Sequence, residues 1–247
     1  MNFRSLIRSL IPPIVFAARD RLIRRLYNRG GYGLNALDVR IEKILSEFNQ
    51  GFFVELGAND GIRQSNTYLL QNKLGWSGLL IEPNPARFEE CVINRKLNAL
   101  SDVSVVCAAC IPPSYTKPYV SMINADLMGV ALGLDISNSI AKEHSSLGKQ
   151  FLQHEDLNYQ YLANALTLTQ VLISVNAPKD IAFLSLDVEG NELSVLFGLD
   201  FDLYCPKYIL VECRDDTVDR LLVKKGYCSL KKFENGSRCD ILFVYKG

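Results

Sequence analysis

The sequence predicts an α/β protein with a seven-stranded, mostly parallel sheet, helices on both faces, and an antiparallel β-hairpin at the C-terminus. Three observations carry this expectation. From residue 36 onward, short apolar runs alternate with stretches of helical spacing. Five such strands precede the last pair of apolar runs, a different count from the six-strand dinucleotide-binding pattern. That last pair flanks Asn235-Gly236, a hairpin turn signal.

The elements follow in order. "ALDVRIEKIL" (36–45) has helical spacing, and "GFFVEL" (51–56) is a strand. "SNTYLLQNKLG" (65–75) is a helix with a polar start and a glycine stop. "WSGLLIEPN" (76–84) is a strand ended by Pro83, and "PARFEECVINRKL" (85–97) a helix. "VSVVCAACI" (103–111) reads as one strand, closed by Pro112-Pro113. A long segment, 112–165, mixes apolar and aromatic residues and reads as an inserted lid. "LTLTQVLISVN" (166–176) is a helix, "IAFLSLDVEG" (181–190) a strand, and "ELSVLFGLDF" (192–201) a helix. "KYILVECR" (207–214) is the fifth strand, "TVDRLLVKKG" (217–226) the last helix, and "YCSLKKFE" and "CDILFVYK" form the hairpin.

Residues 1–35 form a separate basic extension, and 36–247 the main domain. The first 29 residues hold seven arginines, one acid and no lysine. The apolar run "LIPPIVFAA" is too short to span a bilayer and is broken by two prolines. From Val15 to Tyr27 the apolar side chains gather on one helical face. Two readings stand: a helix docked on the main domain, or a basic helix resting on an anionic membrane surface. "NRGGYG" (28–33) reads as a hinge.

Composition narrows the function. The 27 basic and 27 acidic residues cancel, and no basic, aromatic-rich stripe suggests nucleic acid. Seven irregularly spaced cysteines read as reduced residues of a cytoplasmic protein. Cys107-Ala-Ala-Cys110 is a lone CxxC with no second pair, so no metal site is predicted from it.

In an open α/β sheet, ligands bind beyond the carboxyl ends of the strands. Those ends carry Glu55, Glu82, Ala108-Ala109, Asp187 and Glu212. Four acids on one rim repel one another unless cations or hydrogen-bond donors lie nearby. After Glu55 the chain turns through Gly57, Asn59, Asp60 and Gly61, an E-x-G-x-x-x-G pattern rather than G-x-G-x-x-G. The glycines permit a sharp turn and close approach of a ligand. Glu55 and Asp60 would repel phosphate and attract an ammonium group, such as that of S-adenosylmethionine. Ser65, Asn66 or backbone N–H groups would meet its carboxylate. Glu82 follows Gly61 by 21 residues, where an acid accepts from ribose hydroxyls. Glycines and acids on consecutive strands, with the terminal hairpin, fit the S-adenosylmethionine-dependent methyltransferase fold.

"FFVELGANDGIRQSNT", "GWSGLLIEPNPARFEE", "IAFLSLDVEGNELSVLFGLDF" and "YILVECR" resemble the FkbM family of S-adenosylmethionine-dependent methyltransferases. The resemblance runs from about residue 45 to the end. It implies a Rossmann-like class I fold and O-methylation of a sugar, glycan or polyketide-like acceptor. It also implies Glu55, Gly57, Gly61 and Glu82 at the cofactor; Asn59, Asp60, Ser65, Asn66 and Ala108, on the same strand-end loops, are further cofactor-binding candidates.

Asp187, Glu189 and Glu192 follow the fourth strand, where methyl transfer is expected. A hydroxyl acceptor benefits from a base within hydrogen-bond reach. Asp187 or Glu189 is the candidate; Glu192 also fits a helix N-terminus, favoured by the dipole. Asp187, Glu189 and Glu212 could share a divalent cation through oxygen ligands, which carboxylates alone do not specify. His144 and His154 both lie in the long segment, where His154 reads either as a base on the lid or as part of a solvated face. The alternative from another class is a non-catalytic scaffold of the same fold, serving a membrane or a partner protein.

Overall fold

The computed structural model describes residues 31–96, 102–123, 130–131, 159–235 and 238–247. The basic extension before Gly31, both histidines, much of the 112–165 segment and the hairpin's Gly236 lie outside the described residues.

The elements are α1 (Leu37–Leu45), β1 (Phe52–Leu56), α2 (Tyr68–Leu74), β2 (Ser77–Ile81), α3 (Pro85–Arg95) and β3 (Val103–Val106). Next come β4 (Ala109–Cys110), β5 (Tyr119–Ile123), β6 (Val130–Ala131), β7 (Gln160–Leu166) and α4 (Leu168–Ser174). β8 (Phe183–Leu186), α5 (Glu192–Phe197), β9 (Tyr208–Cys213), α6 (Thr217–Lys224), β10 (Tyr227–Asn235) and β11 (Arg238–Tyr245) complete the chain.

The main sheet has seven strands in the order β10-β11-β9-β8-β1-β2-β3. β11 runs antiparallel to both its neighbours; the other pairings are parallel. The fold expectation therefore holds, and the strand order reverses between β1 and β8, where a ligand crevice opens.

Alternation along the strands builds two cores. Val54, Leu56, Leu184, Leu186 and Ile209 face α4, α5 and α6. Phe53, Leu80, Phe183 and Leu210 face α1, α2 and Trp76 on the other side. Both faces are covered, which is why β1 and β8 read as near-continuous apolar runs. Local signals end the helices cleanly. Asn84 caps α3 by accepting from the Ala86 N–H, with Pro85 at the first turn. Thr167 and Gln170 form a reciprocal capping box on α4. Gly75 closes α2 in the left-handed region, as expected of its sequence.

Two expectations change. "VSVVCAACI" is not one strand: β3 belongs to the main sheet and β4 to a second one, and the chain leaves the main sheet at Cys107-Ala108. That second sheet, in the order β4-β7-β5-β6, contains the described strands of the 112–165 segment. It has its own core of Ala109, Ile111, Val120, Met122, Ala131 and Ala163. β7 escaped the sequence because of its seven residues only Ala163 is buried, too few to show a period.

Candidate active site

Parallel register assembles the site. Leu56 pairs with Ile81 of β2 and with Leu186 of β8. Ile81 pairs with Val106, and Leu186 with Val211. One residue further, Cys107, Glu82, Gly57, Asp187 and Glu212 therefore form a row across the sheet's carboxyl edge. Asp240 of β11 extends it, opposite Glu212. A cleft of about 920 Å³, including its open mouth, lies over this row. Glu55, Gly57, Asn59, Asn66, Glu82, Ala108, Asp187 and Glu189 line it. Asp60, Gly61 and Ser65 do not; they stand behind the wall. Ala109, Cys110, Met122 and Ala131 of the small sheet form an apolar wall.

The turn after β1 is shaped by protein contacts. Gly57 has φ 76°, and a Cβ there would lie 1.9 Å from the Asp187 carbonyl oxygen. Gly61 has φ 78°, and a Cβ there would meet Arg95 Cγ at 2.7 Å and Cys91 Sγ at 2.9 Å. The glycines supply the turn, as expected, but the close approach they allow is that of β8 and α3. Asp60 closes the turn by accepting from the N–H groups of Ile62 and Arg63 and pairing with the Arg63 guanidinium at 2.9 Å.

Glu55 points to the α3 side. Its Oε1 accepts from Asn66 N at 2.7 Å, and its Oε2 from Ser65 Oγ at 2.8 Å and Thr67 Oγ1 at 2.6 Å. Arg95, wholly buried, lies 3.7 Å away. Glu55 was expected to attract a ligand ammonium; here protein donors already engage both its oxygens. Asn66 Nδ2 donates to Ser185 Oγ, while Asn66 Oδ1 is buried beside Gly33 with no hydrogen-bond partner among the described residues.

Glu82 differs. Oε1 accepts from Asn84 N and Oε2 from Asn59 N, both at 2.8 Å. Asn59 adopts φ 48° to present that N–H. Burial pushes the Glu82 carboxyl up to about 7, against the opposing effect of those N–H groups and Arg87. Each oxygen keeps acceptor capacity on a residue that lines the cleft.

Across Gly57 lies Asp187. The residue is exposed and lines the cleft. Surrounding protein still desolvates it, and Glu189, Glu212, Glu192 and Asp240 add like charge, so its carboxyl sits well above the ordinary range. Glu189 is held at φ 54°, and its carboxylate accepts from Arg214 at 3.2 Å. Arg214 also reaches Glu212 at 3.5 Å, so this pair already shares a cation supplied by the chain. Glu192 Oε1 accepts from Val188 N and Gly190 N, closing the Asp187–Asn191 turn. Burial raises its carboxyl too. Arg95 and Arg214 escaped the sequence reading; the only clue to Arg95 was its place one turn after Cys91 on the inward face of α3.

The strand order, the acid at the end of β2 and the crevice between β1 and β8 define a class I methyltransferase. A sequence profile described as the methyltransferase FkbM domain matches residues 55–227. The chain belongs to that family. No curated protein sequence matches it. Among solved structures it is similar to the delta-N METTL16 MTase domain (12% identity, both chains covered in full, TM-score 0.48). It is also similar to a human methyltransferase 10 domain containing protein (12% identity, 99% of this chain and 98% of that one, TM-score 0.46). A third is ribosomal protein L11 methylase from Lactobacillus delbrueckii subsp. bulgaricus (12% identity, 86% of this chain and 81% of that one, TM-score 0.44). The fold implies S-adenosylmethionine, and the desolvated, half-satisfied Glu82 carboxyl on the cleft fits a donor pair such as two ribose hydroxyls.

Proposed function

We propose that the protein is an S-adenosylmethionine-dependent O-methyltransferase whose acceptor is a hydroxyl of a sugar, a glycan or a polyketide-like metabolite. The observation that carries the reading is the row Glu82-Gly57-Asp187, with a nucleoside-binding acid on one side and a proton acceptor on the other. Two strand spacings of about 4.8 Å separate them, roughly 10 Å, room for a nucleoside lying across Gly57. The bound cofactor supplies a methyl group on a positively charged sulfur.

Glu82 accepts from the ribose hydroxyls while its other lone pairs stay with Asn59 and Asn84. Asp187 would take the proton of the acceptor hydroxyl, leaving its oxygen free to attack the methyl group that the cofactor would supply. A carboxylate whose charged form is disfavoured is a stronger base than a solvated one, and Asp187 is of that kind. Glu189, oriented by Arg214, lies two residues beyond and would orient the acceptor. The apolar wall of the small sheet would exclude water from the transfer.

Calorimetric titration with S-adenosylmethionine, S-adenosylhomocysteine and NAD tests the cofactor assignment. Micromolar binding of the first two and none of NAD is expected; a folded protein that binds neither sulfur compound would overturn it. Methyl transfer to a panel of glycan and amine acceptors tests the chemistry, with hydroxyl acceptors expected to react.

The seven arginines near the N-terminus support a peripheral contact with anionic membranes. Flotation with anionic liposomes should be lost on deleting residues 1–30. Among the described residues no helix is long and apolar enough to cross a membrane.

A further inference from the structure

We propose that Arg95 and Thr67 are positioning residues that set the affinity for the cofactor without lining its cleft. The inference rests on the cofactor reading above. Arg95 is the last residue of α3 and is completely buried. Its guanidinium donates to Gln71 Oε1 at 2.5 Å, Gly61 O at 2.9 Å, Ser65 Oγ at 3.2 Å and Thr67 Oγ1 at 3.1 Å. The rings of Phe53 and Tyr68 flank it, each at 5.3 Å. One residue earlier, Asn94 Nδ2 donates to the Asp60 carbonyl at 2.8 Å. The end of α3 thus grips two successive carbonyls of the turn from behind.

Thr67 joins this grip to the cleft. It too is completely buried. Its hydroxyl has one proton, and Glu55 Oε2 takes it at 2.6 Å. The oxygen accepts from Arg95 in return. Glu55 then fixes Asn66, which lines the cleft, by accepting from its N–H. The chain Arg95–Thr67–Glu55–Asn66 holds the cleft wall in one arrangement before any ligand arrives. A wall already ordered loses little conformational freedom on binding, and that saving appears as affinity. Ser65 makes a parallel link, donating to Glu55 and accepting from Arg95.

Replacing Arg95 would strand the buried Glu55 charge and unfold the chain, so Arg95 is not the variant of choice. Thr67→Val keeps the shape and removes the relay; Thr67→Ser keeps the hydroxyl. In the full-length protein, calorimetry with S-adenosylhomocysteine should give affinity about ten-fold weaker for Thr67→Val, because the wall must then be ordered on binding. Thr67→Ser should bind as the parent does. KM for S-adenosylmethionine should rise with kcat kept, and acceptor KM should not move. Equal affinity of Thr67→Val and parent, with only the melting temperature lowered, overturns the proposal. If Thr67→Val does not fold, Ser65→Ala must show the same split, and its absence overturns the proposal equally. Failure of the unaltered protein to bind S-adenosylhomocysteine would instead overturn the cofactor reading itself.

Discussion

The two sides of the cleft differ in the acid each turns toward the ligand space, Glu82 on one and Asp187 on the other. On the β1–β2 side every carboxylate has donors close at hand: Glu55 three, Glu82 two backbone N–H groups, Asp60 two N–H groups and a guanidinium. On the β8–β9 side Glu189 and Glu212 share Arg214 and Glu192 accepts from two backbone N–H groups, but the Asp187 carboxyl, with these acids and Asp240 as like charges, has no hydrogen-bond donor among the described residues. A carboxylate surrounded by donors is fixed in place and holds other groups. One left among like charges is reactive toward protons. Under the proposed function, the first side would hold the cofactor and Asp187 on the second would take the proton.

The sharpest break of that contrast is Asp187→Asn. Turnover should fall by about 10²–10⁴-fold, the usual contribution of a positioned base, with S-adenosylhomocysteine affinity kept within about two-fold. A parallel loss of binding would show that both sides hold the cofactor. Glu82→Ala tests the other side. Cofactor affinity should weaken by about 100-fold through two lost bonds to a charged acceptor, with the fold intact by circular dichroism.

A third outcome separates the sides by pH. The Glu82 carboxyl titrates near 7 in the free protein, and ribose hydroxyls favour its ionised form. Cofactor affinity should therefore rise as pH passes upward through about 7, with proton release detectable by calorimetry in buffers of different ionisation heat. The same raised value means that, without ligand, Glu82 favours the folded state below its unfolded value of 4.5, and that this contribution is lost as pH rises through about 7. Glu82→Gln should flatten both dependences. The smallest effect is expected from Arg214→Met. Losing the cation beside Glu189 and Glu212 should move the acid limb of the pH–rate profile upward by less than about one unit, leaving affinity for S-adenosylhomocysteine unchanged.

Much of this was legible in the sequence because buried parallel strands advertise themselves and the register carries strand-end residues into one row. Glu82 and Asp187 were found that way. The cations beside the neighbouring acids were hidden: Arg95 near Glu55, and Arg214 near Glu189 and Glu212. Arg95 looks like any helix-terminal arginine until α3 is seen to turn its 91–95 face inward. Arg214 follows a strand, where polar residues are expected. The purpose of Gly57 and Gly61 was also hidden, since positive φ shows in the pattern but the atom that approaches does not. The small sheet was illegible for a third reason: its strands are short or carry few buried residues, so no period stands out.

Gly57 makes the two sides a single mechanical unit. The Asp187 carbonyl occupies the space where any other residue at 57 would put its first side-chain carbon. The tip of β8 therefore cannot be shifted toward β1 without deforming the turn that lines the cleft. A lineage adapting this enzyme to a new acceptor has little freedom at that seam. Its room for variation is the opposite bank, where Met122, Ala131 and Cys110 line the cleft apart from the row of acids.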